Sequence, residues 1–129
     1  FEGVAVDVLP WSEETEAQLI ANMDVGIMPL RDGPWERGKC GYKIIQYMAC
    51  GLPVVASPVG VNADIVRHGD NGFLASNDEE WRQGLRQLIG SPELRARQGR
   101  AGRHRVEDHY SLASQAPRLA EVLRNAEVR

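Results

Sequence analysis

Gly38-Lys39-Cys40-Gly41-Tyr42-Lys43-Ile44-Ile45-Gln46-Tyr47-Met48-Ala49-Cys50-Gly51-Leu52-Pro53-Val54-Val55-Ala56-Ser57 is the stretch whose reading decides the fold. It runs from a glycine-bearing loop into a short amphipathic helix, with Ile44, Ile45 and Met48 inward. Gly51 is placed to stop that helix, and residues 53–57 follow as a buried strand. Lys39 and Lys43 sit in the loop and in the first helical turn. Open glycine backbone, unpaired helix N–H groups and cationic side chains together make a ready site for phosphate.

Outward from this stretch, Asp24-Val25-Gly26-Ile27-Met28-Pro29-Leu30 is a short apolar run stopped by proline, which predicts a buried strand. Residues 31–40 hold Gly33, Pro34 and Gly38 and read as a loop. Upstream, Ser12 offers an N-cap to a helix over 15–23, whose start is rich in acids (Glu13, Glu14, Glu16) and whose apolar face is Leu19, Ile20 and Met23. Val4, Val6 and Val8 alternate weakly, predicting a strand over 3–8 that ends at Leu9-Pro10-Trp11. Downstream come a short helix over 62–68, a Gly69-Asp70-Asn71-Gly72 turn and a brief strand over 73–75. Helices over 78–89, 92–109 and 112–127 close the chain. Strands alternating with helices predict parallel βαβ units in an α/β sheet. Ligands of such sheets sit beyond the carboxyl ends of the strands, so the loops after Leu9, Leu30 and Ser57 are the ones to watch.

The 129 residues suit one domain spanning 1–129, and the absence of an initiator Met predicts a piece of a longer protein. Hydrophobic and charged contents of 43% and 26% are those of a soluble globular chain, with no apolar run long enough to span a membrane and no secretory leader. A net charge of −3 argues against a general nucleic-acid binder. Cys40 and Cys50 lack metal-like pairing and fit a reduced, cytosolic setting. Arg95, Arg97, Arg100, Arg103 and Arg105 form a basic run, diluted by Glu93, Glu107 and Asp108; a solvated helix face is the expectation, an anionic membrane the rival.

The opening stretch resembles the donor-binding segment of the large family 4 of retaining glycosyltransferases, enzymes of the two-domain GT-B architecture. The family text runs Glu-Gly-Phe-Gly, four apolar-rich positions, then Glu-Ala-Met-Ala-Cys-Gly-x-Pro-Val-Val-Ala-Ser. Met48 to Ser57 follow it closely, whereas Gly38 and Gln46 stand where it has glutamates and Glu36 lies two residues before Gly38. The likeness continues through Asp24 to Leu30, Ser57 to Val66, His68 to Leu74, and Tyr110-Ser111 near the end, covering most of the chain in register.

The resemblance implies a Rossmann-like sheet flanked by helices with a helical C-terminal tail, the later part of a GT-B C-terminal domain. It implies a nucleotide-diphosphate-sugar donor, no cofactor and no obligatory metal, and sugar transfer with retention to a glycan, lipid-linked or other acceptor in polysaccharide or glycoconjugate synthesis. It further implies that acceptor-side catalytic groups come from a missing N-terminal domain, so that this piece alone is inactive. The protein is then cytoplasmic, with peripheral contact at the inner face of the membrane as an added expectation. The donor-binding candidates are Gly38, Lys39, Cys40, Gly41, Tyr42, Lys43 and Gln46, with Glu36 and Trp11 beside them. Lys39 and Lys43 hold diphosphate or are solvated charges, and Gly41 approaches phosphate or simply makes a turn. Gln46 meets the ribose or faces solvent. Trp11 lies at the base edge or in the core, and Trp35 and Arg37 form a sugar-facing lid or an exposed loop. Tyr42 and Tyr47 read as packing residues, His68 and His104 as surface residues. A nucleotide-sugar epimerase of the same architecture and a degenerate, non-catalytic α/β module are the rival readings, Gly38 and Gln46 favouring the second.

Overall fold

The computed structural model describes residues 3–127; the extreme ends of the span expected as one domain lie outside the described residues. Helix α1 (Glu13–Ala21) leads to strand β1 (Gly26–Met28). Helices α2 (Pro34–Arg37) and α3 (Tyr42–Ala49) precede β2 (Val54–Ala56), and α4 (Asn62–Ile65) precedes β3 (Gly72–Leu74). Helices α5 (Asp78–Gly90), α6 (Pro92–His109) and α7 (Leu112–Glu127) follow. None of the described helices is long and apolar enough to cross a membrane.

The strands pair in parallel in the order β1-β2-β3, with Ile27 opposite Val55 and Val55 opposite Phe73. Successive residues of a strand face opposite sides, so Val54 and Ala56 meet Ile44, Met48, Ile65, Val66 and Val106 on one face. Val55 meets Phe73, Ala75 and Leu88 on the other. Burying each large aliphatic side chain contributes roughly 1.5–3 kcal/mol, and helices cover both faces of the sheet. The α/β, Rossmann-like expectation is therefore met.

Helix α3 is fixed at both ends. The Gly51 and Leu52 N–H groups donate to the Met48 and Tyr47 carbonyls at 2.9 and 3.0 Å, with Gly51 at φ 76°, the paired bonds of a Schellman stop. Helix α6 crosses so closely that Gly99 lies on the Gly51 carbonyl, while Gly102 lies against Met48. Tyr47 covers Gly26 of β1, which justifies reading it as a packing residue.

On α6 the solvated-face expectation holds for Arg97 and Arg100, which are exposed, and is corrected for Arg95, Arg103 and Arg105. Arg95 donates to the Leu88 and Ile89 carbonyls at the end of α5, and Arg103 donates to Ala49 O at the end of α3. Arg105 donates to the Asp64 and Ile65 carbonyls of α4 and stacks over Tyr110. Each satisfies carbonyls that a helix end leaves unpaired.

Other boundaries moved for identifiable reasons. Residues 4–11 form no strand: no described strand lies beside them, and Val4, Val6 and Val8 are exposed. The helix expected over 62–68 ends at Ile65, because Asn71 Oδ1 takes the Arg67 N–H at 2.8 Å while its Nδ2 donates to Ile65 O. Met23 lies past the end of α1 and is exposed, and the loop over 31–40 contains the α2 turn.

Candidate functional site

Parallel connection puts the starts of α1 and α3 on the same side of the sheet, beyond the carboxyl ends of the strands. The start of α3 is left open. Gly41 adopts φ 66°, ψ 20°, no side chain caps the helix, and no acid lies in its first turn. A Cβ at Gly41 would stand 2.5 Å from Ile65 Cδ1 and 3.3 Å from Asn62 Oδ1, so only glycine fits between this turn and α4. Buried Asn62 donates to Ser57 O at 3.1 Å, and Ser57 Oγ accepts the Leu30 N–H at 3.0 Å. Gly60 lies against the Arg37 carbonyl. The loops after β1 and β2 are thus tied to each other and to the α3 start.

Lys39 and Cys40 are exposed beside this turn, and Lys39 makes no ion pair among the described residues. Gly38 closes α2 in right-handed helical geometry. Tyr42 is 62% exposed, which corrects its reading as a packing residue. Glu36 turns back onto Gly33, at the start of α2. Trp35 is exposed, and Arg37 is held by Asp32 through two bonds of 2.7 and 3.1 Å. That pairing holds the Asp32 carboxyl below its usual range.

Lys43 and Gln46 turn away from the Gly41 loop toward α1. Lys43 Nζ donates to Glu16 Oε1 at 2.7 Å, and Gln46 Nε2 donates to Glu16 Oε2 at 2.9 Å. These donors, Lys43 first and then Gln46, hold the Glu16 carboxyl below the ordinary glutamate range despite partial desolvation. Beside the pair opens a cleft of about 290 Å³, walled by Leu9, Pro10, Trp11, Leu19, Met23 and Tyr47, with Glu16 and Lys43 on its rim. The volume is near the lower end of the roughly 300–1,000 Å³ of small-molecule sites, enough for one end of an extended ligand. Trp11, 72% exposed, belongs to this wall and not to the core. The sequence reading missed Glu16: it looked like a dipole-compensating acid, and its partners lie 27 and 30 residues away.

The arrangement is that of a parallel α/β sheet with an open helix start beyond its strand ends, and comparison with known proteins identifies its class. The model of the glycosyl transferases group 1 family matches residues 2–91, and the chain belongs to that family. It is 35% identical over 91 residues to the D-inositol 3-phosphate glycosyltransferase of Rhodococcus jostii (strain RHA1), covering 68% of this chain and 20% of that protein. The structure of Anabaena Alr3699/HepE in complex with UDP and glucose superposes with a TM-score of 0.73 at 25% identity, over 84% of this chain and 29% of that one. The C-terminal domain of a glycosyl transferase group 1 family protein (LpcC) from Francisella tularensis superposes with a TM-score of 0.64 at 19% identity, over 83% of this chain and 53% of that domain. The fold is that of part of a GT-B C-terminal domain, as the resemblance implied. The chain spans about a fifth of the length of the curated relatives it matches.

Proposed function

We infer that the protein containing this chain is a glycosyltransferase and that these residues carry its nucleotide-diphosphate-sugar site. The observation that carries the reading is the open start of α3: a left-handed glycine, no side-chain cap, no acid in the first turn, and Lys39 exposed beside it with no ion pair among the described residues. Backbone N–H groups and the positive end of the helix stabilise an anion there. In the transfer step the same groups stabilise charge growing on the leaving diphosphate, a preorganised arrangement. The nucleoside end then lies in the adjoining cleft along Trp11, and the sugar lies toward the loop over 31–40. That the HepE neighbour was solved in complex with UDP and glucose supports a nucleotide-sugar ligand for the family fold. The residues act as the later part of one donor-binding domain, and the acceptor-side groups come from outside them. Retention of the anomeric configuration is what the family 4 resemblance implies.

The rival of a non-catalytic module draws on Gly38, where the resemblance implies a carboxylate, and on Glu36, which faces Gly33 instead. Both readings meet one experiment. The intact protein is titrated calorimetrically with UDP, GDP and the corresponding nucleosides. One diphosphate should bind at least about tenfold more tightly than its nucleoside, a difference of about 1.4 kcal/mol. Equal affinities would remove the phosphate site. Turnover of the matching nucleotide sugar then separates enzyme from module, and a product of inverted configuration would refute retention.

A further inference from the structure

Two acids line the cleft, and they differ. Asp7 lies on the exposed segment that precedes α1, whereas Glu16 is held from the α3 side with its side chain 20% exposed. Lys43 takes one carboxylate oxygen and Gln46 the other. An ionised carboxylate offers about four lone-pair sites, so Glu16 retains accepting capacity toward the cleft. Its charge is already balanced by Lys43, so a cationic ligand gains little there. Neutral hydroxyl donors can use what remains. The other wall is apolar, formed by Leu9, Pro10, Leu19 and Met23. A fixed acceptor opposite an apolar wall suits a ligand with a flat ring on one side and adjacent hydroxyls on the other, which is the chemistry of a ribonucleoside.

We propose that Glu16 accepts hydrogen bonds from the vicinal ribose hydroxyls of the donor, with Lys43 and Gln46 as positioning residues that hold it; this rests on the donor-site reading above. The geometry also accounts for the amide at position 46. A carboxylate there would face Glu16 across the 2.9 Å now spanned by a hydrogen bond, setting like charges in contact. Gln46 Oε1 is enclosed without a partner, so the bond from Nε2 to Glu16 is what orients this amide.

The test is calorimetric titration of the intact protein with UDP and 2′-deoxy-UDP, and with GDP and 2′-deoxy-GDP. It is run on wild type, Glu16→Gln, Gln46→Glu and the exchanged double variant. Wild type should prefer the ribose form of one base by about tenfold, the scale of one hydrogen bond to a charged group. Glu16→Gln should weaken the ribose form by about tenfold and leave the deoxy form within about twofold, erasing the preference. Gln46→Glu should also reduce the preference, and the double exchange should restore part of it by returning one acid and one amide to the pair. A residue that merely docked α1 would weaken both forms equally. Equal weakening, or an unchanged preference in Glu16→Gln, overturns the proposal and leaves the diphosphate site standing. If no diphosphate binds wild type, the donor-site reading falls and the proposal with it.

Discussion

Helices α3 and α5 begin in opposite ways. At α5 the chain closes its own end: Asn77 accepts the Glu80 N–H at 3.0 Å, and Glu80 reaches back to the Ser76 N–H at 2.6 Å. Asp78, Glu79 and Glu80 place negative charge on the first turn. At α3 the corresponding position is Gly41, the first turn has no acid, and Lys43 adds charge of the dipole's own sign. The same chain therefore has the means to close a helix start and does so where only stability is at stake. The open start lies beyond the carboxyl ends of the strands, where an α/β sheet binds its ligand. In the proposed function, the diphosphate supplies at α3 what Asn77 and three acids supply at α5.

The comparison breaks most severely at Gly41. In Gly41→Val the left-handed conformation alone costs about 1–2 kcal/mol, and the new Cβ would meet Ile65 Cδ1. The expected outcome is a lower melting temperature and at least about tenfold weaker diphosphate binding in the intact protein. Unchanged values for both would show that the open glycine is dispensable.

Tyr42→Glu makes the start of α3 resemble that of α5. Tyr42 is exposed, so the acid meets little steric resistance, and it should stabilise the helix by about 0.3–1 kcal/mol. The same charge should weaken UDP or GDP binding by about tenfold. A stability gain with no loss of affinity would mean that the diphosphate lies elsewhere.

Asn77→Ala is the reciprocal experiment. Loss of the cap should cost about 1 kcal/mol in chemical denaturation, with diphosphate affinity unchanged. A comparable fall in affinity would couple two helix ends that the structure keeps separate.

The smallest effect concerns pH. Lys43 and Gln46 depress the Glu16 pKa in the folded protein, so the stability they contribute is present above the unfolded pKa and fades as pH falls through the lower, folded one. Acidification from neutrality to the top of the ordinary glutamate range should leave the α1–α3 tie intact. An NMR titration of the Glu16 carboxyl carbon measures this directly; a midpoint at or above the ordinary value would mean that the tie does not persist in solution.

What was legible in the sequence was local. Gly41, the apolar spacing of Ile44 and Met48, and Gly51 define α3 within one short window, and the helix expected over 92–109 is α6 as observed. The candidate turn from Gly38 to Lys43 could be located for the same reason. What failed depended on distant partners. Alternating valines over 3–8 read as a strand, but a strand needs a neighbour, and none of the described strands supplies one. Arg95, Arg103 and Arg105 read as solvated because spacing along α6 does not reveal the carbonyl ends of α3, α4 and α5 that they reach. Glu16 carried only the signal of an acid near a helix start, and its service to Lys43 and Gln46 emerges when α1 lies beside α3.

The crossing of α6 over the end of α3 has a consequence for genetic mapping. Gly99 sits on the Gly51 carbonyl, so any larger side chain must push the two helices apart and shift α3 along its whole length. If the proposed sugar transfer is the readout, a saturation screen should rank Gly99 among the least tolerant positions, although it does not line the cleft. Drawn along the sequence, such a map would place a false catalytic position on α6. Dividing activity by the yield of folded protein would return Gly99 to its place as a spacer between two helices and leave the losses at Gly41 and Glu16 in view.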